Sequence, residues 1–133
     1  MSSREQRQAI DSEARENAER QNLTDFERGE LLLRARESGV ERDFGWTFWE
    51  WVERRLGLKR RAAEDRMRVA RELARLPELR ERCARGELLF SKVRELVRVA
   101  SQQTELEWLE ATAAMTGAQV ADKVNGLERG DAP

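Results

Sequence analysis

The sequence predicts an all-α fold, a compact multi-helix domain of about six to eight helices with a helix-turn-helix inside it. Three observations point there. Charged residues make up 38% of the chain and the hydrophobic set 39%, with two prolines and no tyrosine. Glu, Arg, Ala and Leu dominate, and β-branched residues are too sparse to favour strands. Three positions carry a helix-opening signature: Thr24 with Glu27, Thr47 with Glu50, and Thr104 with Glu107. In such a capping box the hydroxyl accepts from an orphan amide while the carboxylate reaches back to another. Finally, Gly39, Gly57, Pro77, Gly86 and Gly117 follow apolar-periodic stretches, where helices stop.

In chain order, residues 1–22 form a polar N-terminal segment, helical over 4–21. Its apolar stripe is only Ala9, Ile10, Ala14 and Ala18, so it frays or needs a partner. The main domain covers 23–116. Its first helix, about 25–37, carries Leu31, Leu32 and Leu33 and closes at Gly39. The next, about 48–56, stops at Gly57, and another runs over 60–76. Pro77 ends that one by disfavouring helical geometry at the residue before it. A short helix over 78–84 closes at Gly86. Ser91 is a candidate cap for 92–101, and Thr104 opens a helix to about 116. Residues 117–133 hold a last turn over 118–124 and "NGLERGDAP", which reads as a flexible tail. There is no repeat at a fixed period.

No run approaches the roughly 20 apolar residues of a membrane span, and the polar start lacks an apolar signal-peptide core. Cys83 is the only cysteine, so no intramolecular disulfide forms. A soluble protein in the cytoplasm is the expectation. The net charge of −1 hides an asymmetry. Residues 1–51 carry a net −4, residues 52–100 a net +7, and residues 101–133 a net −4. The basic middle attracts a polyanion, unless the acidic flanks fold back on it.

Phe44, Trp46, Phe48, Trp49 and Trp51 fall within eight positions. Trp49, Val52 and Leu56 lie at i, i+3 and i+7, one helix face, so Phe48 and Trp49 read as core. Trp46 is placed to staple the helix start. Trp51 points away from that stripe beside Arg54 and Arg55, as a half-buried surface residue or as a stacking platform for single-stranded bases.

The stretch "FWEWVERRLGLKRRAAEDRMRVARELARL" carries the most chemistry. A helix ends in "RRLGL", turns at Gly57 and restarts with "KRRAAEDRMRVA". Val52, Leu56, Leu58 and Ala63 hold the spacing that locks the two helices of a helix-turn-helix over 47–76. The second helix then offers Lys59, Arg60, Arg61 and Arg68 to double-stranded DNA, with Arg55 joining Lys59 on phosphates. Glu64 and Asp65 interrupt that surface unless Arg60 and Arg61 mask them by i,i+4 pairing. Glu53 and Arg66 occupy positions that are usually small and apolar in this motif, so a helical hairpin with a solvated charged face is the competing reading.

The segment from "GWTFWEWVERRLGLKRR" to "TELEWLEAT" resembles the helical domain found ahead of HNH nucleases in many bacterial proteins. The resemblance rests on Leu56-Gly57-Leu58, Leu73 to Pro77, Gly86 to Ala100, and Thr104 to Glu110, in order, over roughly residues 40–116. A looser similarity runs to the DNA-binding part of ParB-type partition proteins, through Glu16, Asn17, Arg20, Leu23, Thr24 and Glu27. It departs at Ser91-Lys92-Val93-Arg94, and the nucleotide-binding half of that family has no counterpart, so CTP binding is not carried over. HNH chemistry needs histidine as base and metal ligand, and the chain has none.

No catalysis is therefore expected. Lack of histidine also removes Ser-His and Cys-His pairs and the usual zinc sites, and no glycine-rich phosphate loop is present. Cys83, flanked by Arg82 and Arg85, reads as a small core residue rather than a reactive thiol. No catalytic residue, metal ligand or cofactor is assigned. Two function classes remain: a DNA-binding module, and a protein-interaction or homodimerisation module. The inactive helical portion of an HNH-type nuclease is a third possibility.

Overall fold

The computed structural model describes residues 3–133, with side chains throughout except at positions 3, 14, 15, 17 and 18. The described residues form seven α-helices and one 3₁₀ helix, with no strand. The all-α expectation holds. The helices are α1 (Ser3–Ser38), α2 (Phe48–Leu56), α3 (Arg60–Leu73), α4 (Pro77–Ala84), α5 (Phe90–Leu96), α6 (Glu105–Thr112) and α7 (Gly117–Val124). The 3₁₀ helix, Val40–Phe44, joins α1 to α2.

The first surprise is α1. One unbroken helix of 36 residues replaces the two expected ones, about 54 Å at the usual rise per residue. Thr24 does not cap anything. It sits mid-helix, its hydroxyl donating back to the Arg20 carbonyl at 3.0 Å. The capping signature at Thr24 and Glu27 was outweighed by tertiary packing on both sides of it. Asn22 donates to the Gly86 carbonyl (3.2 Å), and buried Asp25 pairs with Arg66 at 2.8 Å. The described side chains from Arg4 to Gln21 are all exposed, Ala9 and Ile10 among them. Ala14 and Ala18 of the expected stripe lie outside the described side chains.

From Asn22 onward α1 packs along α3. Gly29 makes this possible, because a Cβ there would stand 2.5 Å from the Arg66 carbonyl oxygen. Arg66, polar where a helix-turn-helix usually has an apolar residue, is used by this packing. It binds Asp25 twice (2.8 and 3.2 Å), bonds the Ala62 carbonyl, and lies 4.8 Å over the Phe90 ring.

Two apolar clusters result, and α3 belongs to both. The smaller contains Leu32, Ala35, Phe48, Val52, Ala63 and Met67, with Trp49, Trp51, Leu56 and Leu58 packed around it. The larger takes Val69 and Leu73 from α3 and unites α4 to α7 around Trp108, which is fully buried. Each fully buried Leu or Val contributes roughly 1.5–3 kcal/mol relative to exposure.

The helix ends show which local signals decided. Thr47 caps α2, accepting from the Glu50 amide at 3.1 Å, and α2 stops at Gly57 with φ +67°, a turn that favours glycine. Thr104 stands before α6 but accepts instead from the Ser101 amide (2.9 Å). Ser91 lies inside α5, whose cap position is Leu89. Gly117, expected to end a helix, begins α7. There Thr116 and Gln119 form a full capping box, with bonds of 3.2 and 2.8 Å. Helix α4 has no side-chain cap of its own, and buried Glu105 supplies one from α6, accepting from the Leu79 amide at 2.9 Å.

Residues 125–133, read as a loose tail, are tied to the body. The Gly130 amide donates to the Val99 carbonyl (2.8 Å), and the indole of Trp108 donates to the Asp131 carbonyl (2.8 Å). Arg129 pairs with Glu72 at 2.8 Å. The physical reason is the buried indole, which needs an acceptor. No described helix is long and apolar enough to cross a membrane.

Candidate nucleic-acid interface

Helix α3 turns Ala63 and Met67 inward against α1 and α2, with Val69 and Leu73 in the larger cluster. The opposite face leaves Arg60, Arg61, Glu64 and Arg71 exposed and Asp65, Arg68 and Glu72 half-buried. Val52 and Ala63 are fully buried where α2 meets α3, and the turn between the helices is Gly57-Leu58-Lys59. The first amides of α3 have no side-chain cap.

The five residues expected to contact DNA divide into two groups. Arg55, Lys59 and Arg60 surround the end of α2 and the start of α3. Arg55 lies over the rings of Phe44 (4.9 Å) and Trp46 (5.2 Å), which stack at 4.8 Å. Lys59 pairs with Glu53 at 2.7 Å. Hydrogen bonding in this pair, then Coulomb attraction, holds Glu53 below its ordinary pKa and Lys59 above its own. Both side chains are open to solvent, so the pair is screened and easily exchanged. Arg60 bonds Glu64 at 2.7 Å, the masking that the i,i+4 spacing suggests, and lies 4.7 Å over the Trp49 ring.

Arg61 and Arg68 lie further round the same outward face of α3. They line an open groove of about 620 Å³ between α3, α5 and the C-terminal segment. Arg94, Arg98 and Arg129 complete its basic side, and Asp65, Glu72 and Glu95 are its carboxylates. Asp65 does not pair with Arg61. It stands 3.9 Å from Arg68 and 3.8 Å from Arg94, in contact range of both but hydrogen-bonded to neither. Arg68 also points toward the Arg94 carbonyl at 3.4 Å. Glu95 pairs with Arg98 (2.9 Å), and Glu72 holds both Arg75 (2.6 Å) and Arg129 (2.8 Å). Arg61 makes no ion pair among the described residues.

Sequence reading missed Arg94, Arg98 and Arg129. The i,i+4 spacing of Arg94 and Arg98 was available as a signal. Arg129 gave none, since only the docked C-terminal segment brings it beside α3.

The aromatic residues settle mostly inward. Phe48 is buried, and Trp49 and Trp51 are half-buried on the smaller cluster. Trp51 lies nearly parallel to Phe48, centroids 6.2 Å apart, so one face of its ring is turned toward the smaller cluster. The outward aromatic pair is Phe44 and Trp46, covered by Arg54 (4.7 Å from Trp46) and Arg55. Cys83 is buried, and burial pushes its thiol up to about 12. Its neighbours Arg82 and Arg85 in the sequence do not lower it.

Comparison with protein-family models, curated proteins and solved structures found no match for this chain.

Proposed function

We propose that this chain is a non-catalytic DNA-binding module that lays α3 against double-stranded DNA. The observation that carries the reading is the outward face of α3. It is locked in place by apolar contacts behind it, and it presents Arg60, Arg61, Arg68 and Arg71 around two carboxylates. A rigid helix with basic residues in its first turns is what major-groove recognition uses. The uncapped first amides of α3 add a phosphate-facing end. Arg61 and Arg68 are assigned to the DNA face of α3, with Lys59 and Arg55 on flanking phosphates. The Lys59–Glu53 and Arg60–Glu64 pairs are exposed, so phosphates can replace those carboxylates at modest cost. The net +7 of residues 52–100 supports the same reading, as does the sequence resemblance to DNA-associated helical domains.

A fluorescence-anisotropy titration on duplex DNA at two salt concentrations tests this. Affinity falls steeply with salt, through counterion release, and the R60A/R61A variant binds at least tenfold more weakly. No binding at low salt, or a variant equal to the parent, removes the proposal.

A second reading, a protein-interaction or homodimerisation module, draws on one observation: the described side chains of the first half of α1 are exposed, Ile10 by 66%. Light scattering separates the two. A dilute monomer with a cooperative melt needs no partner for folding.

A further inference from the structure

We infer that the groove between α3, α5 and the C-terminal segment is a second phosphate-binding surface, one that carries the DNA backbone beyond the reach of α3 itself. The inference rests on the DNA-binding reading and adds binding residues to it: Arg94, Arg98 and Arg129. Five arginines face three carboxylates in this groove, so it is net positive even with all acids ionised. Its ion pairs are unequal. Asp65 sits between Arg68 and Arg94 at 3.8–3.9 Å without a hydrogen bond to either, and Arg61 makes no ion pair among the described residues. These three guanidiniums have donors available to an incoming oxyanion. A phosphodiester accepts from such a fork bidentately, which a distant carboxylate does not.

The groove is also continuous with the α3 face. Arg61 and Arg68 belong to both, two turns apart on one stripe of the helix. A duplex seated on α3 therefore brings a strand of its backbone over α5. Neither wall of the groove is a single mobile loop. Arg94 lies on α5, and Arg129 is held next to α3 by Glu72 and by the Gly130–Val99 hydrogen bond. The opening is wide and polar, which suits a backbone passing through and does not suit an enclosed small molecule.

The test compares salt slopes on one short mixed-sequence duplex. Each phosphate contact contributes about 0.9 to the slope of log affinity against log salt. R94Q/R98Q is expected to bind about tenfold or more weakly at low salt, with the slope reduced by about 2. R129Q alone is expected to reduce it by about 1. R80Q/R85Q removes the same charge from α4, outside the groove, and is expected to leave the slope unchanged. Thermal melts confirm that each variant is folded. If R94Q/R98Q keeps the parental slope while R60A/R61A weakens binding, the groove assignment fails and the α3 reading stands. If R80Q/R85Q loses as much as R94Q/R98Q, the effect is net charge alone and the groove assignment fails. If the parent binds no duplex at low salt, both readings fall together.

Discussion

The two apolar clusters differ in what closes them. The larger is sealed mostly by aliphatic side chains around Trp108, whose indole N–H is satisfied by the Asp131 carbonyl, and a cation, Arg66, lies only over Phe90, which is partly buried against it. The smaller is roofed by cations: Arg36 lies over Phe48 and Trp49, and Arg60 over Trp49. A sealed cluster holds a fold together. A cluster roofed by arginines does that less well, but it presents charge on a firm base, since each guanidinium rests on a ring with its edge donors outward. Helix α3 joins the two. Its C-terminal half is anchored in the sealed cluster and its N-terminal half in the roofed one, so the proposed binding surface, from Arg60 to Arg71, is backed by both clusters in turn.

That division can be broken experimentally. The largest effect is expected for Trp108→Ala, which leaves a cavity in the sealed cluster and orphans the Asp131 carbonyl. Urea denaturation should show a loss of about 3–5 kcal/mol. Cys83, in the same cluster, should then become reactive toward a thiol reagent at neutral pH. A loss under about 1 kcal/mol would mean that the sealed cluster is not the folding core.

Leu32→Ala, in the roofed cluster, comes next. Truncations of this kind cost about 2–5 kcal/mol, and the partly open edge here should let the site relax toward the low end. Native-state hydrogen exchange sharpens the contrast. The α2 amides should exchange through a local opening while those of α5 to α7 stay protected and Cys83 stays unreactive. Equal loss of protection in both regions would show one cooperative unit instead of two.

The smallest effect concerns pH. The Cys83 thiol ionises near 9 when unfolded and at about 12 when buried. Its folded pKa is raised, so the native state keeps its proton longer than the unfolded chain does. The associated stability is complete below pH 9 and is lost between about 9 and 12. At pH 10 the loss is on the order of 1 kcal/mol. Cys83→Ala should be less stable at pH 8 but lack this alkaline step, so the gap between the two narrows at pH 10, a difference read from urea melts at the two pH values.

Where local chemistry decided the fold, the sequence showed it. Thr47, Gly57 and the apolar spacing of Val52, Leu56 and Ala63 placed α2, the turn and the start of α3. Where a distant contact decided, local signals misled. Thr24 looks like a cap, yet Asn22 and Asp25 are engaged from α4's end and from α3, and the helix runs through. Gly117 looks like a stop, yet Thr116 and Gln119 restart the chain on it. The candidate site divides in the same way. Arg55, Lys59, Arg60, Arg61 and Arg68 share one stretch of sequence and were visible together. Arg94, Arg98 and Arg129 join them only through the packing of α5 and the docking of the C-terminal segment.

The Trp108–Asp131 bond has a consequence for how the chain is made. During synthesis α1 to α6 leave the ribosome before Asp131 does. Until that residue clears the exit tunnel, the central tryptophan has either a water partner or none. The sealed cluster thus closes late, while α1, α2 and α3 have already had time to pair. A truncation before residue 130 removes this acceptor and leaves the indole N–H at the centre of the larger cluster to water or to nothing.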